Sequence, residues 1–181
     1  MRAVLIALLM GFLMGGCAGV DVQHYASEKP QLDLRAYFDG TLDAYGMFQD
    51  RSGRVVKRFH VLIDASWQGD TGTLDEHFTY SDGTTQRRVW TITRHDAHRY
   101  SGVAGDVVGE ADGEARGNAL RWRYVLALPV DGRVWHVDFD DWMFLMDGRV
   151  MLNRSVMSKF GFRLGEVTLS FVKRGTDGRA P

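Results

Sequence analysis

The stretch NALRWRYVLALPVDGRVWHVDFDDWMFLMDGRVMLNRSVMSKF, residues 118–160, decides the fold. Two Asp-Gly pairs, Asp131-Gly132 and Asp147-Gly148, cut it into runs over 118–129, 133–145 and 149–160, rich in Val, Leu and aromatics. Asp-Gly between such runs is the strongest short-range hairpin signal. Two successive antiparallel hairpins are therefore predicted. A two-residue turn also fixes which residues face each other. About Asp131-Gly132, Leu128 faces Trp135, Leu126 faces Val137, Tyr124 faces Phe139 and Trp122 faces Asp141. About Asp147-Gly148, the same counting sets Leu145 against Val150, Met143 against Leu152, Asp141 against Arg154 and Phe139 against Val156. Both registers place these residues on one face, read as an inner wall. Arg121, Arg123, His136, Asp138, Asp140, Ser155 and Lys159 take the outer face.

Asp141 and Arg154 break the apolar wall. An isolated charge there is costly, so the two are expected to pair. The pair reads either as a structural closure of one barrel end or as an anchor. In the second reading an anionic headgroup or carboxylate docks on Arg154 while Asp141 holds the guanidinium fork. The candidate ligand-binding set is Arg154, Asp141, Trp122, Tyr124, Trp135, Phe139 and Met143.

Working outward, further strands are predicted over 37–48, 54–67, 73–80, 84–94, 98–104 and 166–174. Asp82-Gly83 closes a third hairpin, in which Glu76 and Arg87 are diagonal neighbours read as a surface pair. Phe38, Gly40, Leu42, Ala44, Gly46 and Phe48 share a face, and the small residues among them leave room for a ligand or let the sheet curl. The segment Gly102 to Gly117, with five glycines, reads as a bulged strand and a flexible loop over the mouth. No sustained helical period follows residue 36. Long strands in simple succession, joined by short turns, predict an all-β protein: a lipocalin-like, up-and-down antiparallel barrel of about eight to ten strands, since closure removes exposed edges.

The front of the chain is different. Residues 1–16 carry Arg2 as their one charge and an apolar run, the pattern of a secretory signal peptide. Leu13-Met14-Gly15-Gly16-Cys17 has the form of a bacterial lipobox, and Cys17 is the sole cysteine of 181 residues. Cys17 is therefore expected to be acylated and to anchor the protein in membrane lipid. Ala18 in place of Asp favours the outer membrane, with the protein facing the periplasm. Residues 17–35 read as a lipidated tether, 36–175 as the barrel and 176–181 as a disordered tail.

Composition narrows the chemistry. With 22 Lys+Arg against 23 Asp+Glu there is no basic excess for a nucleic-acid partner. One cysteine excludes an internal disulfide and a cysteine-based zinc site. Serine-hydrolase, phosphate-loop, dinucleotide and zinc-protease motifs are missing, and His95 and His98, in or beside a turn with Asp96 between them, read as a solvated turn rather than a metal site. No cofactor, metal or catalytic residue is expected. The predicted function is binding or carrying a fatty-acid-like or lipid molecule inside the barrel. The alternatives are a structural or interaction lipoprotein with a filled barrel, and an accessory to a lipid-modifying enzyme.

From about residue 34 to 174 the chain resembles an uncharacterised family of bacterial lipoproteins, domain of unknown function 3833. The resemblance is carried by Tyr37-Phe38-Asp39-Gly40, Phe48 to Gly53, Phe78 to Gly83, Gly117-Asn118-Ala119, Asp140-Asp141-Trp142-Met143, Asn153-Arg154 and Met157 to Gly161. It implies no catalytic residue, but it places Asp141 and Arg154 in the signature region. It also implies a membrane-lipid setting, because such proteins are often encoded near lipid-modifying enzymes.

Overall fold

The computed structural model describes residues 19–175; the segment read as a signal peptide, Cys17 and the residues read as a tail lie outside them. Ten strands run in sequence: β1 (Gly40–Asp50), β2 (Val55–Gln68), β3 (Thr71–Tyr80), β4 (Thr85–Arg94), β5 (Arg99–Ala104), β6 (Ala111–Arg116), β7 (Ala119–Val130), β8 (Arg133–Leu145), β9 (Val150–Lys159) and β10 (Phe162–Lys173). Each pairs antiparallel with its neighbours in the chain, and β1 pairs with β10, so the sheet closes into a lipocalin-like barrel. Nine of the ten correspond to predicted strands. The tenth, β6, lies inside the glycine-rich segment read as a loop. Its glycine has a packing reason: Gly113 lies under the indole of Trp122, where a Cβ would collide.

The Asp131-Gly132 hairpin has the predicted register, with Trp122 opposite Asp141 and Leu128 opposite Trp135. Asp131 and Gly132 both take positive φ, 49° and 75°, as a two-residue primed turn requires. The other two Asp-Gly hairpins differ by one residue. Met146 N–H donates to Val150 C=O, which leaves a three-residue loop, Asp147 to Arg149. Asp141 is consequently opposite Ser155, and Arg154 is opposite Trp142. Likewise Tyr80 N–H donates to Thr84 C=O, and Glu76 is opposite Arg88. A one-residue slip turns every side chain over. Met151, Asn153, Ser155 and Met157 therefore face inward on β9, while Leu152 is exposed.

One end of the barrel is closed by the segment before β1. A 3-10 turn at Val22–Tyr25 lies outside β6 and β7, and the short helix α1 (Leu34–Tyr37) is capped by the Asp33 carboxylate, which accepts from the Arg35 and Ala36 N–H groups. Leu34 and Phe38 are buried in the main core with Leu42, Ile63, Leu120 and Phe171. The Trp67 indole N–H donates to Phe38 C=O at 2.7 Å and fastens this plug to β2. The opposite end, at the Asp131-Gly132, Asp82-Gly83 and Phe160-Gly161 tips, is the mouth.

Candidate functional site

The barrel is not filled. It encloses a cavity of about 760 Å³ that reaches from Leu34 at the plug to Thr84, Leu128 and Val130 at the mouth. That volume lies within the ~300–1,000 Å³ typical of small-molecule sites. Its walls differ in chemistry. The β10–β1–β2 side is apolar, with Ala44, Phe48, Phe59, Val61, Val167, Leu169 and Phe171. Gly46 on this side has no Cβ because Phe59 and Leu169 occupy its place.

The other side carries a polar belt at mid-depth. From β3 and β4 it has Glu76, Gln86 and Arg88; from β7 Tyr124; from β8 Asp141; from β9 Asn153 and Ser155. Arg88 makes a bidentate contact with Asp106, Nε at 3.0 Å and a terminal nitrogen at 2.7 Å, and lies 3.9 Å from Glu76. Asp106 belongs to the connection between β5 and β6. Those strands are short, so residues 105–110 complete the wall between β4 and β7, held by Ala127 N–H to Asp106 C=O and Val108 N–H to Val125 C=O at 2.8 Å each. The segment read as a flexible mouth loop is thus a pinned part of the wall.

Burial sets the protonation of this belt. It pushes the Glu76 carboxyl up to about 7 against the pull of Arg88, with Asp106 and Asp141 adding to the rise. Burial likewise pushes Asp141 up to about 7, although Ser155 and Asn153 hydrogen-bond to its charged form. Ser155 Oγ donates to Asp141 Oδ1. Tyr124 is raised well above the usual phenol range by burial and by Asp141. Burial works against the charge of Arg88, but Asp106 and Glu76 outweigh it and hold the guanidinium protonated. The Tyr124 ring is fixed by stacking on Phe139 at 5.0 Å and an edge contact with Trp90 at 5.5 Å. Its hydroxyl makes no hydrogen bond among the described residues, and neither does the Glu76 carboxyl.

Of the residues predicted for the site, Asp141, Trp122, Tyr124, Phe139 and Met143 line the cavity. Arg154 does not. The register shift turns it outward, where it donates to Glu166 at 2.9 Å with 63 % of its side chain exposed. The expected Asp141–Arg154 pair is replaced by Asp141 with Ser155 inside and Arg154 with Glu166 outside. Trp135 is on the inward side of β8 but sits at the rim, 43 % exposed, under the Lys159 ammonium. Glu76 is interior, not half of a surface pair; Arg87 bonds Asp75 outside at 2.7 Å. The acidic partner of Arg88 is Asp106, which no sequence signal singles out. His95 and His98 are engaged separately, by the Ser101 hydroxyl and the Ala115 carbonyl.

The chain belongs to the family described as "Protein of unknown function (DUF3833)". The match covers residues 11–173. No curated protein matches this family member. Among solved structures its barrel is similar to the S-type phycobiliprotein lyase CPES from Guillardia theta, with a TM-score of 0.55 at 6 % identity, over 76 % of this chain and 89 % of that one. A de novo designed fluorescence-activating β-barrel aligns at a TM-score of 0.44 and 12 % identity, over 79 % of this chain and 99 % of the design. At these identities the likeness is one of fold.

Proposed function

We propose that this protein is a lipid-anchored carrier that holds a lipid-like small molecule in its barrel. The observation that carries the reading is the cavity of about 760 Å³, apolar along β10–β1–β2 and reaching from the plug to the mouth. The likeness of the barrel to a phycobiliprotein lyase is in keeping with it. The mouth supports a lipid-like occupant: Phe160 and Phe162 at its tip are 83 % and 75 % exposed, beside Trp135 and Lys159. Exposed apolar residues grouped in this way mark a surface that meets other apolar matter. Acylation of Cys17 would hold the carrier at the outer membrane, facing the periplasm. The ligand is bound without being transformed.

A fluorescent neutral naphthyl probe should bind the purified protein at one site. Ala44→Phe, which puts a ring into the cavity from its apolar wall, should abolish that binding while the circular dichroism spectrum stays that of a β-barrel. Failure of the wild-type protein to bind the probe, with no lipid found by mass spectrometry on protein from its own membrane, would overturn the reading. One arrangement favours a second: Glu76 and Asp141 line the same cavity, and burial pushes both carboxyls up to about 7, as an acid–base couple needs. Turnover of a bound lipid, lost in Glu76→Gln, would decide for it.

A further inference from the structure

We propose that Glu76, Tyr124 and Asp141 read the polar group of the ligand, and that this group donates hydrogen bonds, a protonated amine above all, rather than being a carboxylate. The inference rests on the reading of the barrel as a carrier and adds the ligand's headgroup chemistry to it.

The argument is one of charge and free hydrogen-bonding capacity inside the cavity. Four charged side chains line it, Lys57, Glu76, Arg88 and Asp141. Lys57 is at the mouth, 2.9 Å from Asp82 and over the Tyr80 ring, so its charge is already paired in solvent. Arg88 is the one cation at mid-depth among the described residues, and Asp106 satisfies it from behind with a bidentate contact. That leaves Glu76 with only a looser contact to Arg88 at 3.9 Å, and Asp141 with no cation in ion-pair range among the described residues. An incoming carboxylate would have to share Arg88 with Asp106 while standing beside two further carboxyls, and like charges close together inside the barrel are disfavoured.

A donor group meets the opposite situation. The Glu76 carboxyl and the Tyr124 oxygen accept no hydrogen bond among the described residues, and both face the cavity. The rigid stacking of Tyr124 on Phe139 holds its oxygen in place. Acceptor oxygens that line the cavity and are not engaged by the protein are free to take a matching donor. Because burial keeps Glu76 and Asp141 near 7, either can supply acceptor oxygens to an alcohol or ionise to meet an ammonium. The ammonium then becomes the missing cation. Its hydrocarbon chain lies along the Phe59, Val61 and Leu169 wall, across the cavity from the belt.

Headgroup competition tests this. The neutral naphthyl probe is bound to the full-length protein and displaced at pH 7.4 by dodecylammonium, dodecanol or dodecanoate, each below its micelle concentration. Dodecylammonium is expected to displace the probe at about tenfold lower concentration than dodecanoate, with dodecanol between them. In Glu76→Gln/Asp141→Asn, whose amides keep the volume, the ammonium advantage should fall to about threefold or less. Dodecanoate matching or beating dodecylammonium overturns the headgroup inference and leaves the carrier reading standing. An unchanged preference in the double variant also overturns it, since the selectivity would then arise elsewhere. Absence of probe binding to wild type, with no lipid found by mass spectrometry on protein from its own membrane, overturns both.

Discussion

Arg88 and Arg154 carry the same charge, and their surroundings give the two residues opposite weight. Arg88 is enclosed by Asp106 and Glu76; Arg154 is a surface residue with one partner, Glu166. Removing one member of a buried pair leaves the other uncompensated and costs ~3–5 kcal/mol, whereas an exposed pair is worth ~0–1 kcal/mol. Arg88→Ala is therefore expected to unfold at much lower urea concentration, and Arg154→Ala within error of wild type; the reverse order would contradict the β8–β9 register. The belt carboxyls give a second expectation at this scale. Glu76 and Asp141 have ordinary values of 4.5 and 3.8 and are raised to about 7 in the fold. Between those limits the folded chain holds protons that the unfolded chain has released, so stability falls as pH rises through this window. Glu76 feels Arg88, Asp106 and Asp141, and Asp75 from the outer face; Asp141 feels Ser155, Asn153 and Arg88, and Asp140 from the outer face. Carboxylates held low, such as Asp43 on Arg174, act oppositely and only below their ordinary value of 3.8. Thermal unfolding should accordingly show greatest stability near pH 4–5, and Glu76→Gln/Asp141→Asn should be about 1–3 kcal/mol more stable than wild type at pH 8 with a flatter profile.

Hairpins decide which residues are legible in the sequence. Asp131-Gly132 is a true two-residue turn, so counting from it places Trp122, Tyr124 and Phe139 on the inner face correctly. Asp82-Gly83 and Asp147-Gly148 share the dipeptide but not the loop length. In each the Asp side chain accepts from the backbone N–H two residues on, Thr84 and Arg149, and a third residue joins the loop. Hydrophobic pattern cannot correct the error on β9. Its inward face carries Asn153 and Ser155, its outward face Leu152 and Val156, the reverse of what burial alone selects. A strand whose polar residues face inward is what a binding site does to an otherwise consistent pattern. The β6–β7 turn shows the same limit. Gly117 takes φ +54, and a Cβ there would overlap the Tyr25 carbonyl oxygen, while its own carbonyl accepts from Leu32 N–H at 2.7 Å. It seats the segment before β1, which reads in the sequence as a tether with a short docking segment of no clear period. Gly117→Ala should cost about 1–3 kcal/mol and open residues 19–33 to limited proteolysis with the barrel still closed; equal protease resistance would count against this role.

For the whole molecule, the two ends of the barrel have different tasks, and the proposed anchor belongs to the closed one. The described chain begins beside β6 and β7, where Gln23 reaches Glu114 and Tyr25 packs edge-on to Phe144 at 5.0 Å. From Cys17 to Val22 is five residues, a reach of at most about 18 Å at ~3.3–3.6 Å per residue. The 13 residues of β8, at ~3.3 Å each and tilted ~40°, set the barrel height at about 33 Å. If Cys17 is acylated as proposed, it would hold the plugged end near its bilayer and turn the mouth away from it. The carrier would then load and unload from the aqueous space or from whatever faces it, and the bare Phe160 and Phe162 would be its point of contact. The proposed acylation would consume the sole natural thiol, so that one introduced cysteine could be labelled alone. In vesicles containing nitroxide lipid, a fluorophore at Glu28→Cys should be strongly quenched and one at Arg133→Cys should not. Equal quenching at both positions would mean that the barrel lies on its side and exchanges its ligand with the membrane that anchors it.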